Sequence, residues 1–164
     1  MKFVSIIMGS KSDFEVVNET AKILKENGVA YEMIISSAHR SPKRTSEYVT
    51  NAEKKGAQVF ICAAGMAAHL AGAVAANTTK PVIGIPMSGG VSGGVDALYS
   101  TVQMPSGMPV ATLAIGKAGA KNAAFLAMQI LALSDEKIAK RLLDMREEAI
   151  ISLEKDSKEI EVLL

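Results

Sequence analysis

From its first residues the chain alternates between short apolar runs and segments with helical spacing, and this alternation restricts the possible folds more than any other feature. Phe3–Met8 is apolar and strand-compatible, and Gly9 ends it. Asp13–Asn27 then places Phe14, Val17, Ala21 and Leu24 at helical intervals, with Gly28 where a helix would close. Tyr31–Ile35 reads as a second strand and Ser36–Ser41 as a polar turn. Pro42 suits the first turn of a helix running to Lys55, before Gly56. Gln58–Ala63 is a third strand, followed through Gly65 by a small-residue helix ending at Ala76. Val82–Ile85 and Val110–Ile115 supply the fourth and fifth strands, and helices follow over Lys121–Leu133 and Asp135–Lys155. Five buried strands with intervening helices predict an α/β fold, a three-layer α/β/α sandwich around a parallel five-stranded sheet.

A length of 164 residues suits one domain that buries its own core. The expected organisation is a single α/β domain over residues 1–134 and a helical arm over 135–164. The arm is half charged, yet Ile138, Leu142, Met145, Ala149 and Leu153 share one stripe, which predicts packing on a neighbouring subunit. The charges are unevenly spread. Residues 1–55 hold sixteen and 135–164 hold fifteen, whereas the 79 residues from Gly56 to Ser134 hold four: Lys80, Asp96, Lys117 and Lys121. The same stretch has 11 of the 13 glycines and 18 alanines. Large exposed apolar areas usually mark contact sites, so this segment is expected to be covered, most simply by other copies of the chain. One cysteine leaves no disulfide framework and no thiolate metal cluster, which points to a reducing, cytoplasmic setting. A net charge of +1 without a basic stripe argues against nucleic-acid binding. The absence of a leader pattern or a run of 18 apolar residues argues against secretion and membrane spanning.

In open parallel sheets, ligands bind outside the carboxyl ends of the strands. The polar residues collect there. Gly9, Ser10, Lys11, Ser12 and Asp13 follow the first strand, and Ser36, Ser37, Ala38, His39 and Arg40 follow the second. Gly65 to His69 follow the third, and Met87 to Gly94 follow the fourth. Both histidines of the chain belong to this set. Gly9–Asp13 reads either as a turn capped by Asp13 or as a phosphate site made by hydroxyls and backbone N–H groups. It has neither P-loop nor dinucleotide-fingerprint spacing. His39 beside Arg40 is the sharper signal. The guanidinium offers a fixed fork for phosphate or carboxylate, and the imidazole can give and take a proton. His69, among Ala67, Ala68 and Leu70, reads either as a half-buried structural histidine or as a group facing a ligand.

Two histidines and one cysteine fit no zinc spacing, so no metal is expected. Cys62 lies inside a strand, where a small buried hydrophobe explains it. Gly90-Val91-Ser92-Gly93-Gly94 matches the hydrolase pattern G-x-S-x-G. However, Pro86 to Gly89 separate it from the strand, and no histidine follows Ser92 to serve as base. The loop reads as flexible linkage or as a lid, Gly89–Gly94, over the site.

At these loops the sequence resembles the PurE family of purine biosynthesis, and most closely its class I members, the N5-carboxyaminoimidazole ribonucleotide mutases. Met8 to Asp13, Ser37 to Arg40, Gly65 to Leu70, Val102 to Pro105 and Ala114 to Gly116 carry the likeness, in order and with family-like spacing, from about residue 3 to residue 133. Arg40 and Ala67-Ala68-His69 match class I rather than class II, whose members typically carry Lys after the first histidine. Met66 stands where many class I members have Gly, and Ala71 where many have Pro.

The resemblance implies a flavodoxin-like sheet and a reaction that moves a carboxylate from the exocyclic nitrogen of a ribonucleotide to ring carbon C4, with no metal, cofactor or ATP. It implies that Ser10, Ser37 and Arg40 bind the 5′-phosphate, with Ser12 among the substrate ligands, and that Asp13 holds the ribose hydroxyls. His39 would be the general acid/base, and His69, Gly65 and Leu70 would line the pocket for ring and CO2. It also implies a homo-octamer. Two other readings stay open at this point: direct carboxylation of aminoimidazole ribonucleotide by CO2, and a nucleotide-binding sensor on the same scaffold.

Overall fold

The structure, a computed structural model, describes residues 1–161. The last three residues of the expected 135–164 arm lie outside the described residues. By contacts the chain divides into a unit spanning Met1–Ala127 and a second unit from Met128 onward, and each is described by itself.

The first unit holds a five-stranded parallel sheet in the order β2-β1-β3-β4-β5. Strand β1 (Phe3–Met8) pairs with β2 (Tyr31–Ile35) on one side and with β3 (Ala57–Ala64) on the other. Strand β4 (Val82–Pro86) lies between β3 and β5 (Ala111–Thr112). The parallel five-stranded sheet is the one expected from the alternation, and its order is the flavodoxin-like one implied by the resemblance. Consecutive residues Ile6 and Ile7 of β1, and Val59, Phe60 and Ile61 of β3, are wholly buried. Successive strand side chains point to opposite faces, so both faces of these central strands are covered. That burial explains why the strands read as continuous apolar runs rather than alternating ones.

Helices α1 (Phe14–Glu26), α2 (Pro42–Lys55) and α3 (Leu70–Ala75) connect the first four strands. Between Gly94 and Gln103 lies α4 (Val95–Val102), to which the sequence pattern assigned no element. The fifth strand is also shorter than expected. Leu113 N–H still bonds Gly84 O at 3.0 Å and Gly116 N–H bonds Pro86 O at 2.8 Å. As an edge element with one neighbour, it keeps a regular ladder only over Ala111–Thr112.

Helix α5 (Lys117–Ala132) begins four residues before the expected Lys121 and takes in Gly119. A Cβ there would collide with the carbonyl oxygen of Ala114, so this glycine serves close approach and does not break the helix. Within the first unit, Ala120, Ala123, Ala124 and Ala127 are wholly buried. Thr20 donates a 2.6 Å hydrogen bond to Ala120 O, and Glu19 pairs with Lys117 and Lys121, each at 3.8 Å.

In the second unit, α6 (Glu136–Ile160) runs five residues past the expected Lys155. Asp135 caps it, its carboxylate accepting from the N–H groups of Lys137 and Ile138 at 3.0 and 3.3 Å. Of the expected stripe, Ile138, Leu142 and Met145 are partly buried, whereas Ala149 and Leu153 are exposed. No described helix is long and apolar enough to cross a membrane.

Candidate functional site

The strand order reverses between β1 and β3, because the chain moves outward to β2 and then returns to the other side of β1. A crevice opens at the carboxyl ends of strands at such a switch point. Here it forms a cavity of about 550 Å³, within the size range of small-ligand pockets. Ser10, Ser12, Asp13, Ser37, His39, Arg40, Gly65, His69 and Leu70 all line it. Thus the structure gathers these nine candidate site residues into one concavity built from three successive strand ends, while Lys11 and Ser36 of the same loops do not line it.

Each loop has a local reason for its shape. After β1, Lys11–Asp13 forms a single 3-10 turn before α1. Ser10 caps this turn: its Oγ accepts from Ser12 N–H at 3.3 Å and from Ser12 Oγ at 3.0 Å. Asp13 immediately precedes α1 but makes no side-chain capping bond. The capping reading therefore belongs to Ser10, and the Asp13 carboxylate is left facing the cavity it lines. Burial raises the Asp13 carboxyl above its ordinary value, and hydrogen bonds from the Ser10 backbone and the Ser12 hydroxyl only partly offset this.

After β2, Ser36 is buried, its hydroxyl 2.8 Å from that of Thr45, and its N–H bonds Met8 O at 2.9 Å. Ser41 N–H returns to Ser37 O at 2.9 Å, and Arg40 N–H bonds Ser37 Oγ at 3.2 Å. This turn leaves His39 and Arg40 exposed at the pocket rim. The Arg40 guanidinium reaches back to Gly9 O, joining the first two loops.

After β3, two successive three-residue turns carry the chain, with Ala68 N–H on Met66 O and His69 N–H on Ala67 O, both at 2.8 Å. Met66 adopts a left-handed backbone, φ 58°, with its side chain 67% exposed. Both departures from the family pattern, Met66 and Ala71, fall in or beside this loop.

Met87 and Ser88, placed by the sequence in the loop after the fourth strand but given no role, also line the cavity, as does Val16, which was not anticipated. Val16 looks like an ordinary core residue of a helix. Of the expected lid, Gly89 lines the cavity and Gly90–Gly94 do not. The motif around Ser92 does lead directly into α4, yet β4 ends at Pro86, so it lacks the strand of a nucleophile elbow. Cys62 is buried in β3 and burial pushes its thiol up, which suits a packing role. Among the described residues, no group of three His, Cys, Asp or Glu side chains could hold a metal ion.

A doubly wound sheet with a crevice at its switch point defines the class of open α/β folds that bind a small ligand at their strand ends. The chain matches the sequence model of the AIR carboxylase family over residues 3–150, and it belongs to that family. It is 50% identical over 144 residues to the N5-carboxyaminoimidazole ribonucleotide mutase of Haemophilus influenzae, covering 88% of each chain. It is 51% identical over 144 residues to the mutase of the same name from Bacillus subtilis, covering 88% of this chain and 89% of that protein. The Pyrococcus horikoshii mutase is 48% identical over 158 residues, which is 96% of this chain and 88% of that protein. The crystal structure of Treponema denticola PurE superposes with a TM-score of 0.88 at 29% identity, covering 99% of this chain and 100% of that one.

Proposed function

We propose that the chain is an N5-carboxyaminoimidazole ribonucleotide mutase of purine (IMP) biosynthesis, an isomerase that gives 4-carboxy-5-aminoimidazole ribonucleotide. Relatives of that name share about half their residues with it across nearly nine-tenths of its length. The observation that carries the reading is that residues of three mutase-like motifs, Met8 to Asp13, Ser37 to Arg40 and Gly65 to Leu70, line one cavity at the switch point of the sheet. The relatives favour this function over direct carboxylation or a sensor role.

Ser10, Ser37 and Arg40 hold the 5′-phosphate end, Ser12 is a further substrate ligand, and Asp13 accepts from the ribose hydroxyls. The N-carboxylate leaves as CO2 while His39 protonates the nitrogen. C4 then attacks the retained CO2, and His39 helps remove the C4 proton. Loss of a carbamate is inherently easy, so the enzyme's harder task is to keep CO2 beside C4. Gly65, Leu70 and His69, with the small side chains of Ala64 and Ala67, form a wall that allows close approach. Such positioning can remove roughly 7–11 kcal/mol of barrier, and one well-placed acid/base adds about 10²–10⁴-fold.

A cytoplasmic homo-octamer belongs to the same reading, with the arm over residues 135–164 packed on a neighbouring subunit. It is supported by the scarcity of charge from Gly56 to Ser134 and by the exposure of Val91, Tyr99 and Val102 within that stretch. Light scattering on the eluting protein tests this, and a monomer would contradict it.

The deciding assay supplies N5-carboxyaminoimidazole ribonucleotide without ATP or added bicarbonate, and the C4-carboxylated isomer is the expected product. Turnover only from aminoimidazole ribonucleotide plus bicarbonate would favour the carboxylase reading. His39→Asn should lose about 10²–10⁴-fold in kcat while still binding the ribonucleotide.

A further inference from the structure

We infer that Gly72 is the positioning residue for His69: its missing side chain is the space in which the imidazole lies. The inference rests on the proposed role of His69 in the pocket. His69 immediately precedes α3, and its backbone is pinned from both sides. Its N–H bonds Ala67 O at 2.8 Å, and its carbonyl accepts from Ala73 N–H at 2.9 Å. With the backbone held, the ring's location depends on what it meets. A Cβ on Gly72 would stand 2.5 Å from Cε1 of His69, 2.9 Å from Nδ1 and 3.1 Å from Nε2. All are well inside ordinary non-bonded contact. The three nearest atoms belong to this one imidazole and none to the backbone, so a methyl group is admitted only if the ring moves.

Gly72 is otherwise an unexpected choice. It is buried inside α3, beside Ala71, Ala73 and Ala75, and glycine is the weakest helix former after proline. An alanine would serve the helix better. The ring of His69, which lines the cavity, supplies the reason for glycine.

The test is a cycle of Gly72→Ala, His69→Ala and the double variant, read by kcat/KM, thermal midpoint and inhibition by inorganic phosphate. Gly72→Ala should lower kcat/KM roughly 10–100-fold, the scale of a small misplacement in a site, without lowering the midpoint. Phosphate inhibition should stay unchanged, because the Arg40 end of the pocket is untouched. In the His69→Ala background the added methyl should change kcat/KM less than twofold, since residues acting as one unit are not additive. Should Gly72→Ala fold poorly, the double variant must recover stability. A fully active Gly72→Ala, additive losses, or, where Gly72→Ala is destabilised, a double variant just as destabilised would each overturn the inference. If His69→Ala keeps full activity, the pocket role of His69 falls first and the inference falls with it.

Discussion

The guanidinium of Arg40 donates a 2.7 Å hydrogen bond from Nη2 to the carbonyl oxygen of Gly9, across 31 residues of chain. One arm of the fork is thereby fixed on the backbone of the first loop, and its other donors remain for an anion. Lysine would keep the charge but could not both hold Gly9 and present a planar fork. Arg40→Lys is expected to raise KM about tenfold, the equivalent of one charge-assisted hydrogen bond. Because the side chain is exposed, the expected stability loss is below about 1 kcal/mol. Steady-state kinetics and thermal melts measure both, and an unchanged KM would remove Arg40 from phosphate binding.

Asp13 should show a conflict between stability and binding. Burial raises its carboxyl above the ordinary 3.8. For a group whose pKa is raised on folding, the stabilising contribution is present below the unfolded value and lost as pH rises through the folded one. At neutral pH the charged carboxylate is therefore a net cost to the fold. Asp13→Asn should melt higher than the parent at pH 7, and this advantage should vanish below about pH 3.8, where both states are protonated. The same variant should bind the ribonucleotide more weakly. A lower melting temperature at pH 7 would show that the carboxylate supports the fold.

What the sequence revealed and concealed follows from how each residue is buried. Strands β1 and β3 were legible because residues such as Ile6, Ile7, Phe60 and Ile61 are large, apolar and enclosed on both faces. Helix α4 was missed although Val95, Leu98, Tyr99 and Val102 fall at helical spacing. It is only eight residues long, directly follows a glycine-rich loop, and turns Tyr99 and Val102 of that stripe outward. In the site, polar residues at strand ends stood out against the apolar strands before them. The wall contributed by Val16 did not, because an apolar residue in a helix looks the same whether it meets core or ligand. The left-handed backbone at Met66 has no signature in side-chain chemistry. Only its place opposite a common family glycine hinted at it.

That backbone leads to a stability prediction. A residue with a Cβ in the left-handed region costs roughly 1–2 kcal/mol relative to its relaxed conformation, and glycine does not. Glycine brings back about 0.5–1 kcal/mol of unfolded-state entropy. With the Met66 side chain 67% exposed, little burial is lost on removing it. Met66→Gly should therefore be stabilising by about 0.5–1 kcal/mol, whereas the β-branched Met66→Ile should destabilise. Urea denaturation of the two variants checks the opposite signs. Equal shifts would mean that the third loop relaxes freely around position 66.

Tyr48 and Ser5 form a polar contact away from the cavity lining that alkali can test. Ser5 is wholly buried in β1, and its hydroxyl lies 2.9 Å from the phenol of Tyr48, which packs from α2 against the core. Burial is the main reason the Tyr48 phenol is pushed up to about 12, with the nearby Glu32 and Cys62 adding to it and the Ser5 bond opposing. The raised value means that the neutral phenol is favoured in the fold. Its contribution is full below about pH 10 and is lost as pH rises towards 12. The parent should therefore lose stability more steeply than Tyr48→Phe over that interval. At neutral pH, Tyr48→Phe should cost about 1–3 kcal/mol, because the Ser5 hydroxyl is left buried without its partner. Adding Ser5→Ala should recover most of that loss, since replacing both partners removes the unsatisfied group. Denaturant titrations of the four proteins at pH 7 and across pH 10–12 give both results. If the two losses simply add, the Ser5–Tyr48 bond contributes nothing beyond its separate side chains.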